Sequence, residues 1–265
     1  MKKHKPDTGI HVLGLDTSSR MLTVACAQAG GLVSEANLCG QLGQAAVGGL
    51  GGQALASGRG KLQHSEKLFS LLEGVLSSLS LELKDIGAFA VGLGPGSFTG
   101  LRIGFSVLKG LLAAHPCPVY GISSLDLIAD GVSLDSGRLA VLVNARRERI
   151  YAAFYRFSAG RWERETPEDE VLSPAEIISR STDGIYLAGD ALKEYGEWIR
   201  QKMPKAVFFQ ENFWYPHAGC LVNLVRSRYT QMKPLDRGSF KPAYLRLSEA
   251  EEKKLGNLYS PTPRG

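Results

Sequence analysis

The feature that most constrains this chain is the succession of Ala88-Phe89-Ala90-Val91-Gly92, the loop Gly94-Pro95-Gly96-Ser97-Phe98-Thr99-Gly100, and the stretch from Leu101 to Ala114. An apolar run, a glycine-rich turn and an amphipathic pattern read as strand, loop and helix, the unit of a layered α/β protein. At the start of such a helix the backbone N–H groups are unpaired and the dipole is positive, so the loop can hold an anion such as phosphate. It lacks the Lys-Ser/Thr pair of a Walker loop and the spacing of the dinucleotide fingerprint. The same glycines suit a tight structural turn somewhat better, with Gly100 and Gly104 letting another backbone approach the helix. From the residues alone both uses stay open.

Patterns on either side extend the frame. His11 to Asp16 and Met21 to Ala27 read as strands joined by the polar turn Thr17-Ser18-Ser19-Arg20, a hairpin with an acid at its tip, and a third strand is predicted around Gly31 to Leu38. The glycine-rich stretch 40–61 has few large side chains, which predicts a mobile loop. From His64 the spacing turns helical, with Leu68, Leu72, Val75 and Leu79 on one face and Leu71 and Leu76 widening it. A strand at Val119 to Ile122 closes this half. Beyond Ser123 the pattern restarts: a helix from Leu125, strands at Arg138 to Val143 and Ile150 to Tyr155, and a capping box at Ser173-Pro174-Ala175-Glu176. A strand at Ile185 to Ala188 and helices at Leu192 to Met203 and His217 to Tyr229 follow. The restart predicts two domains, 1–123 and 124–265, with a frayed tail after about residue 253.

Composition narrows the class. Hydrophobic residues make up 44% and charged residues 22%, which fits a soluble globular protein and excludes collagen-like or disordered chains. No apolar run approaches the roughly 20 residues that span a bilayer, and Met1 to Asp7 is not followed by a signal-peptide pattern, so a cytoplasmic protein without membrane contact is expected. Cys26, Cys39, Cys117 and Cys220 are scattered without metal-ligand spacing and read as buried free thiols. The net charge of +5 is too modest to identify a nucleic-acid binder.

Asp16 followed by Thr17 and Ser18 resembles the acid-and-hydroxyl turn with which actin-like ATPases meet magnesium and phosphate. Together with Leu13 to Ser18, His64-Ser65-Glu66-Lys67-Leu68, Gly94 to Gly104, Asn144-Ala145-Arg146-Arg147-Glu148-Arg149-Ile150-Tyr151 and Pro242 to Arg246, it makes the chain similar to the bacterial TsaB family, also called YeaZ, over about residues 10 to 247. The resemblance implies an actin-like, ribonuclease H-like α/β fold of two similar mixed-sheet subdomains. It also implies a non-catalytic scaffold that pairs with the related catalytic subunit TsaD and, with the small ATPase TsaE, supports threonylcarbamoyl transfer to N6 of adenosine 37 in tRNAs reading ANN codons. No cofactor is then required by this chain. ATP and a metal belong to the partner subunits, and tRNA is met only through the complex.

Several residues can be set against that implication. The TsaD family carries a His-x-x-x-His metal pair just after the strand that follows its own glycine loop; the corresponding places here are Ser124 and Ile128, and no Asp-Asn-Gly follows near the C-terminus. Neither residue supplies an imidazole, so catalytic and metal residues are expected to be none, and a zinc glycoprotease finds no support. The rival that remains is an ATP-dependent enzyme of the same superfold, with Asp16 on magnesium and Gly94 to Gly100 on phosphate. Asn144 stands where the family commonly has aspartate, which removes a carboxylate from that turn. The scaffold reading makes Asp16, Thr17 and the residues Gly94, Pro95, Gly96, Ser97, Phe98, Thr99 and Gly100 a structural or vestigial phosphate loop. It assigns docking to Leu68, Leu72, Val75 and Leu76 with Leu101 and Phe105, and implies a homodimer through the same patch when the partner is absent.

Overall fold

The computed structural model describes residues 9–28, 31, 33–39, 45–48, 64–236 and 239–245. The chain opens with strands β1 (His11–Asp16), β2 (Met21–Ala27), β3 (Val33–Cys39) and β4 (Ala45–Gly48), followed by helix α1 (His64–Ser78), strand β5 (Ile86–Gly92), helix α2 (Phe98–Ala114), strand β6 (Val119–Ile122) and helix α3 (Ser124–Asp130). The strands form one sheet in the order β4-β3-β2-β1-β5-β6. The hairpin strands pair antiparallel, whereas β1, β5 and β6 run parallel. Within the stretch read as a mobile loop, Ala45–Gly48 is an edge strand on β3, a short register of small residues that propensity does not flag. The rest of 40–61, and the tail after 253, lie outside the described residues.

The second half repeats the plan. It comprises β7 (Arg138–Asn144), β8 (Ile150–Ser158), β9 (Arg161–Arg164), β10 (Glu170–Leu172), α4 (Pro174–Arg180), β11 (Tyr186–Ala188), α5 (Leu192–Lys202), β12 (Val207–Phe208) and α6 (Ala218–Arg228). Its sheet runs β10-β8-β7-β11-β12, with β9 also on β8. An antiparallel hairpin is again followed by parallel strands beside its first member. The expected α/β class, with two similar mixed sheets, is what the topology shows. The strands β9, β10 and β12 were not anticipated, because they are short, charged or exposed and show no apolar alternation.

Both faces of each sheet are covered, which explains why the central strands are apolar almost throughout. Leu13, Leu15, Val24, Phe89 and Val91 point into a core with α1 and α2. Val12, Ala25, Ala88 and Ala90 face α6, and Gly14 lets Val222 of that helix come so close that a Cβ would not fit. Thus α6, from the second half of the chain, returns to the first sheet, while α3 packs its Leu125, Ile128 and Ala129 against the second. The segment after α6 lies on the first sheet too, through Leu235 N–H to Val119 O and Ala243 N–H to Leu93 O, both 2.8 Å. Cys26, Cys117 and Cys220 are free thiols, and the side chain of Cys39 lies outside the described residues.

Side chains of β2 and β3 hold the start of α6. Ala218 N–H donates to Thr23 Oγ1 at 2.9 Å, Thr23 Oγ1 donates to Glu35 Oε1 at 3.1 Å, and His217 Nδ1 lies 3.4 Å from the same carboxylate. Burial alone would raise the Glu35 carboxyl, but the hydrogen bond and charge of His217, with Gly219 N–H and Thr23, outweigh it and hold it below the usual range. The hydrogen bond to Glu35 raises His217 against the opposing effect of burial. A depressed carboxylate stabilises the fold above its unfolded pKa, and that stability is lost as pH falls. A raised histidine stabilises it below its unfolded pKa, and that stability is lost as pH rises through the folded value. The pair should therefore contribute most between about pH 4.5 and 6.5. Urea midpoints measured from about pH 3 to 8 should peak within this window in wild type and fall off on either side, and Glu35→Gln should flatten the peak; parallel curves for the two proteins would contradict the assignment.

Candidate functional site at the glycine loop

The polar turn after β1 and the glycine loop after β5 meet at the ends of two adjacent parallel strands. Asp16 is fully buried there. Its Oδ1 accepts from Ser18 N–H and Ser18 Oγ, each at 2.7 Å, and its Oδ2 accepts from Ser124 Oγ at 2.5 Å. Ser124 in turn accepts from Gly94 N–H at 3.1 Å, and its own N–H donates to Gly94 O at 2.8 Å. One carboxylate and one hydroxyl thus tie together the end of β1, the glycine loop and the first turn of α3. Burial pushes the Asp16 carboxyl up, against the hydrogen bonds from Ser124 and Ser18.

The glycines serve this contact. Gly94 has φ of +87°, in the left-handed region that glycine reaches without strain, and the Gly94–Pro95 peptide is cis. A Cβ on Gly96 would fall closer than 3.0 Å to Ser18 O, one on Gly100 to Thr17 O, and one on Gly104 to the Thr17 side chain. Ser97 N–H donates to Ser18 O at 2.6 Å, and Ser97 Oγ caps α2 by accepting from Gly100 N–H at 3.1 Å. The loop is therefore laid against the backbone of the Thr17-Ser18 turn. Phe98 has the guanidinium of Arg102 over its ring, 4.0 Å away, and the tilted ring of Tyr244 4.7 Å away, so the chain after α6 comes against the loop. Thr99 is exposed and Pro95 buried.

An ion at Asp16 would need an ionised carboxylate with an oxygen free to face it. Both oxygens already have donors, and a Cβ on Gly92 would collide with the carboxylate, so the wall beside it is closed. The residues here do not fit a magnesium ion. Nor do Ser124 and Ile128 fit a transition metal: the hydroxyl is bound to Asp16, and Ile128 is buried in the second sheet's core. Among the described residues, no group of three or more His, Cys, Asp or Glu side chains is placed to hold a metal ion. No helix of the described residues is long and apolar enough to cross a membrane.

The equivalent hairpin tip of the second half, between β7 and β8, is also wired as a turn. Asn144 accepts from Arg146 N–H at 2.7 Å through Oδ1 and donates to Glu194 at 2.6 Å through Nδ2, while its own N–H donates to Asp190 at 2.8 Å. An aspartate at 144 would lose the donor and face Glu194 with a second negative charge. Arg146, Arg147 and Glu148 have positive φ values of 64°, 51° and 56°, a left-handed run that non-glycine residues adopt only when their surroundings impose it. Arg20 of the first hairpin pairs with Glu211 and lies 4.9 Å over the Tyr215 ring.

The docking residues read from the sequence have a different place. Leu68, Leu72, Val75, Leu101 and Phe105 are buried at 0 to 4% exposure in the chain's own core, and Leu76 is partly buried against it. The apolar stripe is as wide as the sheet it covers. Outside that core α1 carries Phe69 at 46% exposure and the half-buried Leu76, and α2 the half-buried Ile103 and Leu111. The sequence carried the signal, since Phe69 and Leu76 are seven residues apart and share a face, but the stronger leucine stripe masked it.

The comparisons agree with this architecture. The family model described as "TsaD: tRNA N6-adenosine threonylcarbamoyltransferase" matches residues 60–252. The Escherichia coli (strain K12) tRNA threonylcarbamoyladenosine biosynthesis protein TsaB is 36% identical over 121 residues, 44% of this chain and 52% of that protein, so the chain spans about half the length of that relative. The Haemophilus influenzae protein of the same name is 26% identical over 72% of this chain and 83% of its own length. Among solved structures, a Pseudomonas aeruginosa protein with similarity to peptidase YeaZ superposes with a TM-score of 0.69 at 24% identity, over 89% of this chain and 100% of that one. That likeness shows the fold.

The close contact of loop and turn gives a direct test. Gly96→Ala and Gly100→Ala should each destabilise by about 1–3 kcal/mol or more, because the new methyl meets backbone that cannot yield. Gly110→Ala in α2, where a Cβ meets nothing within 4 Å, should stabilise by about 0.5–1 kcal/mol. Urea denaturation of the three variants checks both signs.

Proposed function

This chain belongs to the TsaB/YeaZ family of TsaD-like proteins, and from that membership we propose that it serves tRNA threonylcarbamoyladenosine biosynthesis as a non-catalytic subunit pairing with TsaD and TsaE homologues. The observation that carries the non-catalytic reading is the closed environment of Asp16. Its oxygens are engaged by Ser18 and Ser124 at the place where an ATPase of this fold would present a carboxylate to magnesium. The loop glycines, where a phosphate would sit, are pressed on Ser18 O and Thr17 O. The same geometry disfavours an ATP-dependent enzyme. The chain then needs no cofactor of its own; ATP and the metal reside on the partner subunits, and tRNA is engaged through the assembled complex.

Docking falls to the outward stripe of α1 and α2. Phe69, Leu76, Ile103 and Leu111 offer apolar surface on two helices that pack on each other, and a few such anchors usually dominate an interface. In the absence of the catalytic partner the same stripe supports a symmetric homodimer. Glutamate at Leu72 or Val75 would unfold the core, so the informative variants are Phe69→Glu and Leu76→Glu. Together they should abolish co-purification with TsaD and leave the thermal transition within a few degrees of wild type; undiminished co-purification would refute this surface.

Reconstitution tests the function. Threonylcarbamoyl transfer to tRNA by the TsaD and TsaE homologues should depend on this chain, and the chain alone should have no transfer activity. Full activity in its absence would refute the scaffold role, and activity of the isolated chain would refute the non-catalytic one.

A further inference from the structure

Between α3, β8, β9 and the last turn of α6 lies a cavity of about 420 Å³, within the size range of small-molecule sites. Its inner side is a fixed charged network. Tyr155 OH and Arg164 Nε both donate to Asp126 Oδ1, at 2.9 and 2.6 Å. Arg164 also pairs with Asp169, which accepts from Ser123 Oγ at 2.8 Å. The Arg164 charge is thus matched by two carboxylates. Among the described residues, Asp126 Oδ2 carries no hydrogen bond. One helical turn on, Asp130 lines the same cavity from the same face of α3.

Opposite Asp130 stands Arg228, close enough for its charge to act on that carboxyl, yet its guanidinium makes no hydrogen bond or ion pair among the described residues. The remaining wall carries Arg161, whose charge is met by Glu163 at 3.1 Å, and is otherwise apolar, with Leu224, Met232 and the ring of Trp162, whose indole N–H is fixed on Val132 O at 2.8 Å.

These charges select a ligand class. A simple anion meets Asp126 and Asp130, and Arg164 is already neutralised. A simple cation meets Arg228. A small zwitterion satisfies both signs, and the apolar wall asks for an apolar group beside them. We infer that this cavity binds a free α-amino acid with an apolar side chain, its ammonium group on Asp126 Oδ2 and Asp130, its carboxylate on Arg228, and its side chain against Trp162, Leu224 and Met232. The site is separate from the glycine loop and from the helical docking stripe.

The test uses the intact chain without tRNA or partner, so it stands apart from the scaffold reading. Leucine and phenylalanine are titrated singly, by calorimetry and by the NMR shift of the Trp162 indole, against leucine amide and N-acetyl-leucine, which each lack one charge. Saturable binding is expected for the free amino acids, with each blocked derivative weaker by at least about tenfold, the effect of one charge-assisted hydrogen bond. Asp130→Asn and Arg228→Gln, both at exposed rim positions, should keep the circular dichroism spectrum and weaken binding to a similar extent. No saturable change up to about 10 mM of either amino acid, equal binding of the blocked derivatives, or unchanged affinity in both variants would overturn the assignment.

Discussion

The structure hangs on a buried hydrogen bond between Asp16 and Ser124. These residues are 108 positions apart in sequence, one at the end of the first strand and the other at the start of the helix that opens the second half. A buried carboxylate is costly unless its oxygens are satisfied, and here every donor comes from a turn that must be placed correctly to supply it. Ser18 fixes the hairpin tip. Ser124 fixes α3, and through Gly94 fixes the glycine loop. The loop then sets where α2 begins, and α2 with α1 covers one face of the first sheet. A satisfied polar cluster of this kind adds little net energy but imposes one arrangement on the elements that share it.

The repeated sheet plan makes that arrangement matter. Each half has a hairpin followed by parallel strands, and a further face of each sheet is covered by a helix: α6, returning from the second half, covers the first sheet, and α3, which opens the second half, covers the second. The two helices touch. Consecutive serines at the head of α3 reach both ways, Ser124 to Asp16 and Ser123 to Asp169 in the network around Arg164. The cap of α6 by Thr23, Glu35 and His217 does the corresponding work from the first sheet.

Much of this was legible in the sequence, for physical reasons. The apolar runs of β1, β2, β5 and β7 announce strands covered on both faces, and the Ser173–Glu176 capping box is realised as read. The closeness of loop and turn was only half legible: glycines at 96, 100 and 104 indicate a close approach but do not say to what. The partner is the backbone at Thr17 and Ser18, set by sheet order, a long-range fact without local signature. Ser124 was read only as the residue that is not histidine. Its role as a donor to Asp16 depends on a pairing that no spacing reveals. The burial of Leu68, Leu72 and Val75 was not legible, because helical periodicity locates an apolar stripe without saying whether the chain's own sheet or a partner covers it, and these residues lie in the chain's own core.

Ser124 also shows how the position that opens α3 is used in this chain. The resemblance to the TsaD family implies an imidazole at this place in the catalytic relatives. Here the side chain is 1% exposed and its hydroxyl is the only donor to Asp16 Oδ2 among the described residues. An imidazole is too large for a pocket filled by a serine, and a ring turned out toward a metal would leave the buried carboxylate oxygen without a partner. Ligation and locking are therefore exclusive uses of one position. Ile128, one turn further on the same helix, is bound by the same logic, because its side chain is part of the core between α3 and the second sheet. At this place hydrogen bonds through Ser124 join the end of β1, the glycine loop and the first turn of α3.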